Sequence, residues 1–158
     1  MNVLLINPSW SGLITKKAHL YNWAFPPLDL LNISSILKNK SIKTKVLDLR
    51  SCSISLEELH SNIDSADKII LTTSPLDRWQ CPNIDLDNLF QLTSNIKDKK
   101  KLIITGVHGT IYPEFIQQKT GANIIIRGEP EKTISQLFDN ISLENVYGIS
   151  YFKNGILV

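Results

Sequence analysis

The stretch from Lys101 to Phe138 limits most sharply what this chain can fold into. It reads K-L-I-I-T-G-V-H-G-T-I-Y-P-E-F-I-Q-Q-K-T-G-A-N-I-I-I-R-G-E-P-E-K-T-I-S-Q-L-F. Two apolar runs, Leu102–Ile104 and Ile124–Ile126, are each followed by glycine and then by a Pro-Glu pair that opens a helical pattern. This is strand, glycine turn and helix, written twice. Continuous Ile/Leu runs suit parallel strands covered by helices on both faces, since neither face then meets water. Gly106, Gly109 and Gly128 fall where these strands end. Lacking a Cβ, they let backbone approach a ligand closely or take positive φ. Open α/β sheets bind ligands at that carboxyl edge.

The rest of the chain follows the same alternation. Val3–Ile6, Thr44–Leu49 and Asp67–Leu71 read as further strands. Helices are expected from Pro26-Pro27, with Leu28, Leu31, Ile33/Ile36 and Leu37 on one stripe, and from the capping box Ser55–Glu58 through Ile63. Others should cover Leu86–Ile96, Pro113–Lys119 with Gly121 as its stop, and Pro130–Phe138. The tail from Val146 reads as a hairpin turning at Asn154-Gly155. The expected fold is therefore α/β: a doubly wound, Rossmann-like parallel five-stranded sheet in the flavodoxin-like order 2-1-3-4-5. Helices lie on both faces, and a C-terminal β-hairpin follows. Residues 1–141 would form the domain, and 142–158 a hairpin or connector. Segments 9–25 and 72–83 exceed the usual βα loop of about 2–6 residues, and such loops are commonly functional. In that strand order, strands one and three meet at the switch point. A pocket built from both long segments and the glycine turn after strand four follows.

Composition narrows the class. The 158 residues fit one domain, and a net charge of +2 with interspersed signs gives no basic face for nucleic acid. The dense run Lys97 with Lys99–Lys101 reads as a solvated turn. No apolar stretch approaches the roughly 20 residues that span a bilayer, and Met1-Asn2-Val3 enters a strand directly. The expectation is a soluble, cytoplasmic protein without membrane or nucleic-acid partners. Cys52 and Cys81 form no C-x-x-C pair and read as reduced loop thiols.

Several site chemistries drop out. T-G-V-H-G-T lacks the G-K-[ST] of a P-loop and the G-x-G-x-x-G of dinucleotide folds. A receiver domain would need acidic residues after strand one, an aspartate ending strand three and a lysine ending strand five. Asn7-Pro8, Thr72-Thr73 and Arg127-Gly128 stand there instead. Pro8-Ser9-Trp10-Ser11-Gly12 is a poor flavin phosphate loop, although Trp10, Trp23 and Trp79 suit stacking on a flat ligand. A small α/β flavin- or nucleotide-binding module, or a small α/β enzyme pairing His108 with Glu114 or Glu129, stay open as alternatives.

The set V-L-L-I-N-P, P-P-L-D-L-L-N-I-S-S-I-L, V-L-D-L, I-T-G-V-H-G-T-I-Y-P-E and I-I-R-G-E-P-E-K-T-I-S-Q-L resembles a known family. It is similar to the N-terminal cobalamin-binding domain of cobalamin-dependent radical S-adenosylmethionine enzymes over nearly the whole chain. Thr105 replaces the first glycine of that family's G-G-x-H-x-T turn. The resemblance implies that the corrin ring lies on the carboxyl edge, with the cofactor's nucleotide tail extended into the domain past Thr72, Thr73, Ser74, Gly106 and Val107. With the rim positions Pro8, Ser9, His108, Gly109, Gly128 and Glu129, these form the implied cofactor-binding set. Arg78 and Trp79 are candidates for the face below cobalt. None of His19, His60 and His108 satisfies D-x-H-x-x-G, so base-off, His-off cobalamin is implied, with no metal-ligating and no catalytic residue in this chain. The resemblance further implies a parent enzyme of the methyltransferase kind, which would add a 4Fe-4S cluster and S-adenosylmethionine on a C-terminal barrel. That cluster needs C-x-x-x-C-x-x-C, which two cysteines cannot supply.

Overall fold

The computed structural model of the protein describes residues 1–9, 26–52, 54–73, 86–139, 141–153 and 155–158. The strands are β1 (Asn2–Asn7), β2 (Lys43–Asp48), β3 (Lys68–Thr72), β4 (Leu102–Thr105), β5 (Ile124–Ile126), β6 (Ile149–Lys153) and β7 (Ile156–Leu157). Between them run α1 (Leu28–Asn39), α2 (Leu56–Ser65), α3 (Asp87–Ser94), α4 (Val107–Ile111), α5 (Pro113–Thr120) and α6 (Pro130–Leu137). The sheet order is β2-β1-β3-β4-β5-β6-β7. The first five strands are parallel, in the expected 2-1-3-4-5 order. The hairpin does not hang free: β6 pairs antiparallel with β5, Ile125 opposite Ser150, and continues the sheet. That pairing covers the outer edge of β5, which is why a strand as short as Ile124–Ile126 is buried throughout.

Strand alternation sorts the core into two layers. Leu4, Ile6, Ile69, Leu71, Leu102, Ile104 and Ile125 face α2, α3 and α5. Val3, Leu5, Ile70, Ile103, Ile124 and Ile126 face α1 and α6. Ile70 sits at the centre of the second layer, in register with Leu5 on one side and Ile103 on the other. Each such side chain contributes about 1.5–3 kcal/mol by leaving water. The apolar stripe of α1 differs from the sequence expectation. Its buried residues are Leu30, Ile33, Ser34 and Leu37, whereas Leu28 and Leu31 are 54% and 42% exposed. The buried residues recur at i, i+3, i+4 and i+7 from Leu30, one face of the helix, and Leu28 and Leu31 lie about 200° and 100° round from Leu30, off that face.

Helix ends follow the local chemistry. The Ser55 hydroxyl accepts the Glu58 N–H at 3.1 Å, the expected cap. Proline occupies the first turn of α5 and of α6, and Gly121 closes α5 in the left-handed region. The lysine run differs from a free solvated turn. Lys101 Nζ donates to the Ala66 carbonyl, Lys68 Nζ to Lys100, and Lys99 Nζ to Thr93. The amino edge of the sheet is thereby tied together. Cys52 is a free, exposed thiol. No helix among the described residues is long and apolar enough to cross a membrane.

Candidate functional site

The carboxyl edge carries an open cleft of about 420 Å³, walled by Asp29, Thr105, Gly106, Val107, Thr110, Gly128, Glu129 and Pro130. It lies on the α1/α6 side of the sheet, where the first turns of those helices meet the turns after β4 and β5. A volume of this size lies within the range of small-molecule sites.

Backbone geometry shapes the walls. Gly106 takes φ 109°, ψ 177°, a conformation that side-chain-bearing residues avoid. A Gly106→Val change would strain the backbone before it met any ligand. Gly106 then opens α4, so the expected glycine turn T-G-V-H-G-T contains four of that helix's five residues. Gly128 also has positive φ, 77°, yet a Cβ placed there would meet nothing within 4 Å. Its missing side chain faces open space. Gly109 does something else. A Cβ on it would fall 2.8 Å from Ile125 Cγ2, so its smoothness lets α4 sit on β5.

Two residues absent from the sequence-derived set organise the cleft. Thr110 Oγ1 donates to the Gly106 carbonyl at 3.1 Å and accepts the Gly128 N–H at 2.8 Å, latching the β4 and β5 turns together. Its signal was its place four residues after Gly106, on one face of a helical turn. Asp29 Oδ2 accepts the Thr72 hydroxyl at 2.5 Å, and Oδ1 accepts the Leu30 N–H at 2.8 Å. Burial raises the Asp29 carboxyl above its usual range and Glu131 adds to this, against the lowering effect of the Thr72 and Leu30 bonds. No local signal marks that pairing, because Asp29 and Thr72 are 43 residues apart.

Further along the rim, Thr73 N–H donates to the Thr105 carbonyl at 2.9 Å. The His108 imidazole hydrogen bonds the Thr73 backbone, while burial lowers its pKa below the usual 6.5. Its Nδ1 is buried without a partner among the described residues, as are Thr73 Oγ1 and Asn7 Oδ1. With its N–H committed to a carbonyl, the neutral ring presents Nδ1 as an acceptor. Native structures leave few such atoms, because each costs about 1–3 kcal/mol. After β1 the chain is held by Arg50, beyond β2, and by Asn88, in the first turn of α3. The Pro8 carbonyl accepts Arg50 Nε at 3.0 Å, and Asn88 Nδ2 donates to the carbonyl and hydroxyl of Ser9 at 3.2 and 3.0 Å.

Of the sequence-derived set, then, Gly106, Val107, Gly128 and Glu129 line the cleft, and Thr72 stands one hydrogen bond behind it. Thr73 and His108 form the neighbouring stretch of rim, Gly109 is on the face of α4 that meets β5, Pro8 contacts Arg50 after β2, and Ser9 contacts Asn88 of α3. Ser74, Arg78 and Trp79 fall outside the described residues, as do Trp10, Trp23, His19 and Cys81. Among the described residues no cluster of His, Cys, Asp or Glu has the arrangement of a metal site.

No family model and no curated protein matches the chain. Solved structures share its fold. The cobalamin-dependent S-adenosylmethionine radical enzyme OxsB, with aqua-cobalamin and S-adenosylmethionine bound, superposes at a TM-score of 0.72 and 21% identity, covering 99% of this chain and 21% of OxsB. The radical S-adenosylmethionine methyltransferase TsrM from Kitasatospora setae, with tryptophan substrate and a S-adenosylmethionine analogue bound, gives 0.72 at 16% identity over 99% of this chain and 29% of TsrM. TsrM with cobalamin and a 4Fe-4S cluster bound gives 0.71 at 16% identity, covering 99% and 30%. The chain thus spans about a fifth of OxsB and under a third of TsrM, and the likeness is one of fold.

Proposed function

We propose that this chain is a cobalamin-binding domain, and that residues 1–141 hold base-off, His-off cobalamin for a radical S-adenosylmethionine enzyme. Residues 142–158 would connect to its barrel. The observation that carries the reading is the juxtaposition on one rim of a glycine-walled cleft with two buried polar atoms that have no partner among the described residues, Thr73 Oγ1 and His108 Nδ1. Cobalamin fits such a site. Its periphery bears neutral amides and hydroxyls that both donate and accept, which suits orphaned neutral groups better than ion pairing does. Its nucleotide tail needs a slot without side chains, and Gly106 and Gly128 leave one. Thr72, Thr73, Ser74, Gly106 and Val107 line the tail's route, with Gly128 and Glu129 as the outer wall. Pro8, Ser9, His108 and Gly109 form or support the rim under the corrin. Arg78 and Trp79 are proposed below the cobalt.

Bound cobalamin supplies the group-transfer chemistry, methyl transfer in the parent, and this chain binds and orients it. The fold shared with OxsB and TsrM supports the reading. The alternatives fare worse. The described cleft wall carries Asp29 and Glu129 and no Lys or Arg, a poorer surface for the several negative charges of a polyphosphate than for the single phosphodiester of cobalamin's tail. No described carboxylate hydrogen bonds His108, and Glu114 and Glu129 are exposed, so an acid–base pair is not assembled.

Mixing the protein with hydroxocobalamin and removing free ligand by gel filtration tests this. Retained colour at one equivalent, with a shifted spectrum lacking nitrogen-ligated cobalt, is expected. Colour that elutes entirely free contradicts it. Gly128→Asn tests the placement, because asparagine tolerates positive φ and its side chain enters open space. We expect affinity to fall about tenfold or more, roughly 1.4 kcal/mol, with the fold intact.

A further inference from the structure

The cleft contains one carboxyl held in place by the protein, and the binding reading leaves it without a task. Asp29 stands in the first turn of α1, with both oxygens engaged, by the Leu30 N–H and the Thr72 hydroxyl. Thr72 is fully buried at the end of β3, so the carboxyl cannot swing out to solvent without breaking that bond. The charged and titratable groups around it offer no compensation. From α6 come Glu129 and Glu131, the latter accepting from Asn32 Nδ2 at 3.5 Å. From the β4 turn comes His108, whose ring is engaged with Thr73. No described Lys or Arg lines the cleft. A carboxyl placed like this favours a partner that brings it a proton.

We propose that Asp29 recognises the nucleotide base of the tail, and that carboxyl and base share one proton taken up on binding. This rests on the cobalamin reading above. Released from cobalt, the base presents one weakly basic ring nitrogen. A protonated Asp29 donates to that nitrogen, or a protonated base donates to the carboxylate. Each arrangement holds one proton more than the ionised carboxyl and free base hold separately. Burial and Glu131 already move Asp29 towards holding that proton. Affinity therefore falls as pH rises through the range where the separate partners have lost the proton, by about tenfold per pH unit.

The test titrates the 158-residue chain with hydroxocobalamin and with aquacobinamide, which has the corrin ring and no nucleotide base, from about pH 5 to about pH 8. Calorimetry in two buffers of different ionisation enthalpy counts the protons. Expected for cobalamin are a falling affinity and uptake of about one proton. Cobinamide should bind with a flat response. Asp29→Asn keeps one acceptor, for the Leu30 N–H, and turns its amide N–H towards the Thr72 hydroxyl oxygen, which then accepts; with no titrating proton of its own, it should bind cobalamin with the pH slope and proton uptake lost. A flat response for wild-type cobalamin, the same slope for cobinamide, or a slope that survives Asp29→Asn overturns the inference alone. Retention of neither corrinoid at any pH overturns the cobalamin reading and the inference with it.

Discussion

The two ends of the parallel sheet have opposite polar chemistry. At the amino edge a cleft of about 200 Å³ lies between β2 and α2, and none of its described buried side-chain polar atoms lacks a partner. Lys45 Nζ donates to Asn62 Oδ1 at 2.6 Å, Asn62 Nδ2 to the Glu58 carbonyl at 2.7 Å, and the Asn2 N–H to Asp67 Oδ2 at 2.7 Å. At the carboxyl edge the cleft is about twice as large, and Asn7 Oδ1, Thr73 Oγ1 and His108 Nδ1 stay buried without partners among the described residues. Both edges belong to the same strands, so strand propensity cannot account for the difference. Among the described residues, one edge is finished as structure and the other keeps unused hydrogen-bonding capacity. Open parallel α/β sheets bind ligands at the carboxyl edge, and the binding proposal puts the ligand there.

The largest expected effect tests whether one platform supports both edges. Ile70→Ala removes a fully buried side chain between Leu5 and Ile103 and should cost about 2–5 kcal/mol by urea unfolding. Both edges should loosen together, and a loss confined to one would break the comparison. Thr73→Val comes next and sharpens it. Thr73 is 3% exposed and its hydroxyl has no partner among the described residues, so an apolar isostere should leave stability unchanged or raise it by about 1 kcal/mol. Cobalamin affinity should fall at the same time. Destabilisation by more than about 1 kcal/mol would mean that the hydroxyl serves the fold.

At the other edge Lys101→Met should do the reverse. It removes the donor to the Ala66 carbonyl and should cost about 0.5–1.5 kcal/mol without changing cobalamin affinity. The smallest effect is in pH. Burial lowers the His108 pKa below 6.5, so the unfolded chain takes up its proton first as acidity rises. Stability should fall as pH drops from about 6.5 towards the lowered folded value, and His108→Gln should remove that part of the slope. Asp29, raised by burial, contributes in the opposite direction as pH falls. The slope of the difference between wild type and His108→Gln is therefore the quantity to compare.

The fold was legible because its signals are local and repeated. Uninterrupted runs such as Ile124–Ile126 have no polar face to turn outward, and each is punctuated by glycine or a proline-initiated helix. The inner face of α1 was less legible. Leu28, Leu30 and Leu31 are equally apolar, and Leu30 goes in because it shares a face with Ile33, Ser34 and Leu37, a phase that the neighbouring leucines blur in sequence. Gly106, Val107 and Gly128 were recognisable from turn chemistry, and they line the cleft. Asp29 was not, because its role depends on Thr72 arriving from another strand. The hydroxyls of the T-G-V-H-G-T segment look alike in sequence, yet Thr110 alone bridges two turns.

Hydrogen–deuterium exchange of the 158-residue chain, with and without saturating hydroxocobalamin, measures most directly whether the carboxyl edge is the ligand side. Added protection at residues 72–73, 105–110 and 127–130, with none at 43–45 and 62–66, is the predicted result. Protection at the amino edge, or none at either, would contradict it.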